Sequence, residues 1–236
     1  EQASSEKTYL LIHGAYLGGW CWNTVAKLLA PAMVYTPTLI GISERASERT
    51  PSTGLDTHVQ QITTFITENQ LVSVHLVGWS YGGLVISGVI NSSPERISAA
   101  TFLDAYLPEN GQSAASFLTM PQKMMLQLAA YLDKGIKPPR PDQWGITDEA
   151  LLSAINDRIT TQPPRTFTQK VAAPEHWPDH IDYSYLRCRD YAGSIFDQFY
   201  DKAKRDKRFH VQELECSHAA PLTHPSAVAT AIISQH

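Results

Sequence analysis

Short, wholly apolar runs alternate with segments of helical period over most of this chain. Tyr9-Leu10-Leu11-Ile12 reads as a strand ending at His13-Gly14. Four apolar residues in a row, with no polar alternation, fit a strand covered on both faces. Trp20, Val25, Leu28 and Leu29 then recur at helical spacing, and Met33-Val34-Tyr35-Thr36 reads as a second strand closed by Pro37. Asp56 is set to N-cap a helix that carries Val59, Ile62, Phe65 and Ile66 on one face. A third strand follows at Val72-Ser73-Val74-His75-Leu76-Val77, then a helix through Leu84, Val85, Gly88 and Val89, then a fourth strand over 97–104. Strands separated by helices at this spacing make parallel βαβ units, so the expected fold class is α/β, a doubly wound, mostly parallel sheet.

From residue 107 to 182 this rhythm fails. Prolines crowd the stretch, with pairs at Pro138-Pro139 and Pro163-Pro164, and helix-like pieces such as Met124-Met125, Leu128 and Leu132 lie between them. Because it falls between two core strands, it is expected to be an inserted, mainly helical lid rather than a linker. The βα rhythm returns with a strand over 183–189, a helix near 196–204, a strand over 209–214 and a last helix through Val228 and Ile233. The expected organisation is a core of residues 1–106 and 183–236 with a lid of residues 107–182.

Composition narrows the function classes. With 236 residues, 43% of them hydrophobic, and no apolar run of 18, the chain reads as one soluble globular domain with an insertion and no membrane span. Net charge is −4, and the basic cluster over 202–208 is interrupted by Asp206, so it reads as a solvated helix face and no nucleic-acid partner is expected. Cys21, Cys188 and Cys216 are too few and too scattered for a disulfide framework or a zinc site, and read as small buried hydrophobes. The chain starts at Glu1 with a polar stretch and no initiator Met, as cleavage of a leader or simple trimming would leave it. Cytoplasmic, periplasmic and secreted locations therefore all stay open, and a homodimer is allowed.

The strongest chemical signal is Gly78-Trp79-Ser80-Tyr81-Gly82, set between the third strand and its helix. Strand, tight turn and helix are the setting of a G-x-S-x-G nucleophile elbow, which exposes the serine at the carboxyl end of the strand. A serine hydroxyl needs a base, and the base needs an orienting acid. His218 follows the last expected strand and suits the base, whereas His13 reads as a structural residue of its loop. His58, His75, His210, His224 and His236 sit where no chemistry converges. Glu175-His176 and Asp179-His180 carry a His-x3-His spacing, but in a proline-containing loop this is a poor ligand set, and no metal is expected. The glycine-rich turn His13-Gly14-Ala15-Tyr16-Leu17-Gly18-Gly19-Trp20 is the expected oxyanion loop, with the Ala15 and Tyr81 backbone N–H groups as donors. For the acid, Asp104 ends an apolar strand and gives the order Ser80, Asp104, His218; capping the next turn is its blander alternative.

The segments HGAYLGGWCW (13–22), PTLIGISER (37–45), GWSYGG (78–83) and LDAYLPENG (103–111) resemble α/β-hydrolases. More narrowly, they resemble the bacterial esterase branch of the plant methylesterase and hydroxynitrile-lyase superfamily, and the likeness extends to residues 162–169 and 216–219. The resemblance implies an αβ core under a helical lid, no cofactor, and a serine hydrolase of the carboxylesterase type. Plant methylesterases carry a C-T-x-D motif near Tyr185-Leu186-Arg187-Cys188, with an Asp three residues beyond the Cys. Here that position is Tyr191 and Asp190 falls one short, which favours Asp104 as the acid over Asp190, with Asp197 third.

Three readings follow. The first is hydrolysis of a small, largely apolar ester, with lactones and carbamates as related substrates. The second is a cyanohydrin-cleaving lyase; such enzymes carry Thr where Gly14 stands and Lys directly after the catalytic His, where Ala219 stands here. The third is a ligand-binding receptor on a hydrolase scaffold. Trp79, with Met124, Met125, Leu128, Trp144 and Trp177 from the lid, is expected to line an apolar pocket.

Overall fold

The apolar runs become the centre of a six-stranded sheet. The structure is a computed structural model that describes residues 6–234; Glu1 and His236 lie outside the described residues. In chain order the main elements are β1 (Thr8–Ile12), α1 (Asn23–Leu28), β2 (Met33–Tyr35), α2 (Leu55–Glu68), β3 (Val74–Trp79), α3 (Gly82–Ser92) and β4 (Ile97–Leu103). After these come α4 (Met120–Tyr131), α5 (Glu149–Ile155), α6 (Arg165–Thr168), β5 (Asp182–Cys188), α7 (Asp197–Arg205), β6 (Phe209–Leu214), α8 (Ala220–Thr223) and α9 (Pro225–Ser234).

The strand order is β2-β1-β3-β4-β5-β6, and every neighbouring pair is parallel. Successive residues alternate between two cores. Leu10, Ile12, Leu76 and Phe102 face a cluster with Ile62, Val85 and Phe199 from α2, α3 and α7. Tyr9, Leu11, Val77 and Leu103 face the opposite cluster with Val25, Val228 and Ile232 from α1 and α9. Both faces are thus covered, as a parallel sheet requires. The chain direction of strand addition reverses at β1 and β3, and in such sheets the crevice beyond the strand carboxyl ends is where ligands bind.

Two local readings are corrected. Val72 is exposed and Ser73 turns with φ +51°, so the third strand starts only at Val74. Asp56 lies inside the first turn of α2, where Gly54 is the cap residue. The Gly54 N–H donates to Thr57 Oγ1, and the Asp56 N–H donates to Gln169 Oε1 at 2.9 Å. The cap comes from a residue far along the chain, which makes an aspartate at the cap position unnecessary.

The stretch between β4 and β5 carries α4, α5 and α6 joined by irregular chain. Met124, Met125, Leu128 and Leu132 on or just after α4 are exposed rather than packed. No helix among the described residues is long and apolar enough to cross a membrane.

Candidate active site

The turn after β3 is stitched to the end of β4. Ser80 has φ +56°, a conformation costly for a side-chain-bearing residue and held here by its surroundings. Its N–H donates to the Leu103 carbonyl at 3.2 Å, and its carbonyl accepts from Gly83 and Tyr106. The flanking glycines are forced by close backbone approach. A Cβ at Gly78 would sit 2.6 Å from the Gly82 oxygen, and one at Gly82 would sit 2.6 Å from the Ile12 oxygen. The turn therefore aims Ser80 Oγ over the sheet, at the N-terminal end of α3.

There the structure brings Ser80, His218 and Asp104 together. Ser80 Oγ lies 3.1 Å from His218 Nε2, and His218 Nδ1 lies 2.6 Å from Asp104 Oδ2. A carboxylate only accepts, so Nδ1 carries the proton and Nε2 keeps a lone pair for the serine hydroxyl. The imidazole is held on several sides. The Trp79 indole N–H donates to the His218 carbonyl at 2.9 Å, and the Ala219 N–H donates to the Trp144 carbonyl at 3.0 Å. Tyr191 and Phe196 stack against the ring at 4.7 and 5.0 Å between centroids.

Asp104 is fully buried and itself has a left-handed backbone, φ +41°, which swings its side chain off the end of β4. Its Oδ1 accepts from the Cys188 N–H at 3.1 Å and from the guanidinium of Arg187. Arg187 is buried too, and its other nitrogen reaches Asp197, Ser194 and the Tyr191 carbonyl. Burial pulls the Arg187 pKa down, but the pull of Asp104 and Asp197 more than offsets it, so the net shift is upward. The sequence reading gave Arg187 no role. Its signal is an arginine inside the apolar run of β5, where a charge cannot be buried without a partner. Asp197 is spent on Arg187 and on the Gly193 N–H. Asp190 is not brought to the imidazole: its side chain is 57% exposed and lies 3.7 Å from Arg189.

The loop after β1 lies against the nucleophile turn. A Cβ at Gly14 would come within 3.3 Å of Ser80 Cβ. The buried His13 fixes this loop, bonding Gly14 through Nδ1 and accepting the Leu39 N–H at Nε2. Among the described residues, neither the Ala15 N–H nor the Tyr81 N–H donates to a protein group. Both residues line the cavity that opens at Ser80. Tyr81 is anchored by its hydroxyl, 2.8 Å from His58 Nδ1.

A cavity of about 370 Å³ opens at Ser80, walled by Trp79, Tyr106, Trp144, Phe167, Tyr191 and Phe196. Of the residues expected to line a pocket, Trp79 and Trp144 line this cavity. Trp177 does not: it packs edge-on against Phe102 and Tyr183 at the far end of the sheet, because its segment has already turned back toward the start of β5. Met125 also misses this cavity and lines a neighbouring one, since α4 lies outside the ring of Tyr16, Tyr106 and Phe167. The aromatic residues of the loop after β5 were missed, because nothing local marks a loop as cavity wall. Among the described residues no group of His, Cys, Asp and Glu could hold a metal ion, and His180 is bonded to the Pro94 carbonyl.

The profile of the Alpha/beta hydrolase family matches residues 9–231. A carbendazim hydrolyzing esterase of Nocardioides sp. (strain SG-4G) is 38% identical over 144 residues, covering 56% of this chain and 60% of the relative. Methylesterase 1 of Arabidopsis thaliana is 30% identical over 149 residues, covering 59% of this chain and 54% of the relative. The chain thus matches little more than half the length of these curated relatives. Among solved structures, an extracellular alpha/beta-hydrolase from a Paenibacillus species superposes with a TM-score of 0.80 at 21% identity, covering 97% of this chain and 98% of that one. This last likeness carries the fold alone.

Proposed function

Because the chain belongs to the α/β-hydrolase family, we propose that it is a serine esterase in which Ser80, His218 and Asp104 act as one unit. The observation that carries this reading is the unbroken chain of contacts from Asp104 Oδ2 to His218 Nδ1 at 2.6 Å and from His218 Nε2 to Ser80 Oγ at 3.1 Å. In the proposed reaction His218 Nε2 takes the Ser80 proton as Oγ adds to the ester carbonyl. Asp104 keeps the imidazole in the right tautomer and stabilises the imidazolium. The carbonyl oxygen, now negative, receives the Ala15 and Tyr81 N–H groups, aided by the N-terminus of α3. Collapse expels the alcohol, which takes its proton from His218. Water then repeats the sequence on the acyl-enzyme and frees Ser80.

The aromatic walls of the cavity support a small apolar or aromatic ester, with the irregular segment between β4 and β5 acting as lid through Pro139, Trp144 and Phe167. A carbamate is the second substrate class, favoured by the likeness to a carbendazim hydrolyzing esterase. Cyanohydrin cleavage is disfavoured by Ala219, an uncharged residue directly after His218.

A panel of aryl acetates, methyl esters of aromatic acids, a lactone, methyl carbamates and a cyanohydrin tests this reading. Ester or carbamate turnover is expected, and Ser80→Ala should remove it by roughly 10³-fold or more while the fold stays intact. Cyanide release without ester turnover would move the protein to the lyase class, and binding without any turnover would make it a receptor.

A further inference from the structure

Beyond the wall of the catalytic cavity lies a second one of about 440 Å³, lined by Ala114, Leu118, Leu126, Ala129 and Ile136, with Gln122 as a polar neighbour. Tyr16, Tyr106 and Phe167 line both cavities, so the two spaces abut across these three aromatic residues. One buried residue builds this junction. Gln162 takes the Tyr16 N–H on its side-chain oxygen at 2.8 Å and gives its amide to Thr166 at 2.9 Å. Its backbone meanwhile pairs in both directions with Ile136, on the second cavity's wall, at 2.9 Å. The Tyr16 ring, on a left-handed backbone of φ +70°, stacks on Trp144 and meets Phe167 edge-on.

We propose that the second cavity is a subsite for the distal part of the same ester, a linear alkyl or arylalkyl tail that passes the Tyr16–Tyr106–Phe167 wall. This rests on the esterase reading above. Three observations favour the tail of the substrate over a separate guest. The cavity wall is almost wholly apolar, so it offers burial but little to orient a free polar ligand. It abuts the catalytic cavity across three shared aromatic residues, so a chain leaving the reacting group has a second space directly beside the first. Gln162 ties the Tyr16 loop to the Ile136 segment through its own bonds, so the backbone on both sides of the junction is held while the aromatic residues form the wall. The substrate class is therefore an ester of a small reacting group bearing an extended apolar chain.

Two ladders of substrates test this: 4-nitrophenyl alkanoates from acetate to decanoate, which lengthen the acyl side, and alkyl benzoates, which lengthen the alcohol side. One ladder should gain in kcat/KM by up to about fourfold per added methylene once the chain passes the wall, then level off. Ala129→Phe, which fills the second cavity, should lower the decanoate-to-acetate ratio (or its alkyl benzoate counterpart) at least tenfold. Leu118→Trp, on a different segment, should do the same should the first variant fold poorly. Unchanged ratios in a folded variant, or no gain with length in either ladder, would overturn the subsite. Turnover of the shortest esters judges the esterase reading separately. Binding of phenyl alkyl ketones, from acetophenone to decanophenone, reads the subsite even without turnover: affinity should climb with chain length and stop climbing in Ala129→Phe, and a flat series would refute it.

Discussion

Two buried histidines should make this protein acid-labile in a defined window. His13 and His58 are fully buried, and burial is the largest cause that pulls each pKa down from 6.5 to about 4. Each ring also uses one nitrogen as an acceptor, from the Leu39 N–H for His13 and from the Tyr81 hydroxyl for His58. A second proton would turn that nitrogen to face a donor. The folded state therefore binds these protons only near pH 4, while the unfolded chain binds them near 6.5. Between those values the unfolded state holds more protons, so stability falls as pH falls. Each imidazole contributes about 3 kcal/mol at neutral pH, taking about 1.4 kcal/mol per pKa unit. Near pH 5 the two together give a slope of roughly 2.4 kcal/mol per pH unit, a large share of the 5–15 kcal/mol typical of a domain. Carboxylates held low, such as Glu44 and Asp206, lose their contribution only as pH drops through their ordinary values of 4.5 and 3.8 and below, so the two effects separate. Urea unfolding followed by tryptophan fluorescence at pH 7.5, 6.5, 5.5 and 5.0 measures the slope. His58→Gln should cut it by about half. A stability that changes by less than about 1 kcal/mol over this range would refute the reasoning, because two buried neutral imidazoles demand more.

Three further outcomes follow from the site. Asp104→Asn should lower kcat by about 10⁴-fold, since an amide fixes the wrong tautomer, while Asp190→Asn, exposed and away from His218, should stay within a few-fold; steady-state kinetics of both variants decides between the two acids. Arg187→Met should cost about 3–5 kcal/mol of stability by leaving Asp104 with a buried charge and one fewer partner, which thermal and urea unfolding would read. Trp144→Ala should change the relative rates across an ester panel because Trp144 walls the cavity, whereas Trp177→Ala should leave those ratios unaltered; the reverse pattern would mean that the cavity is not the substrate site.

The core was legible because burial leaves its mark on the central strands β1, β3 and β4. Runs such as 9–12 and 99–103 have no polar alternation, and only a sheet covered on both faces accommodates that. The elbow was legible because Gly78 answers to a backbone contact only four residues on, whereas Gly82, which answers to the distant Ile12, was read from the spacing alone. Asp104 could be singled out because a carboxylate ending an apolar strand demands a partner, and in the structure it has three. What could not be read depends on distant chain. The cap of α2 comes from Gln169, so Asp56 gave a false local signal. Trp144 and Trp177 have equal chemistry, and only the path of the segment between β4 and β5 sends one to the cavity and the other to the sheet's far end. Met124 and Met125 follow a helical apolar pattern that resembles packing, yet α4 turns them outward. The loop over 191–196 walls the cavity through Arg187, which ties Tyr191 and Ser194 to Asp104, a link made only once β4 and β5 lie side by side.

The proposal that Ser80 is the attacking group is tested most directly by covalent trapping. Wild-type protein is treated with a fluorophosphonate, digested, and its peptides weighed by mass spectrometry. A single phosphonyl group on the peptide carrying Ser80 is predicted, with labelling abolished in Ser80→Ala and slowed by roughly 10³-fold or more when His218 is replaced by Ala. Labelling at another residue, or unaltered ester turnover after Ser80 has been fully modified, would contradict the account.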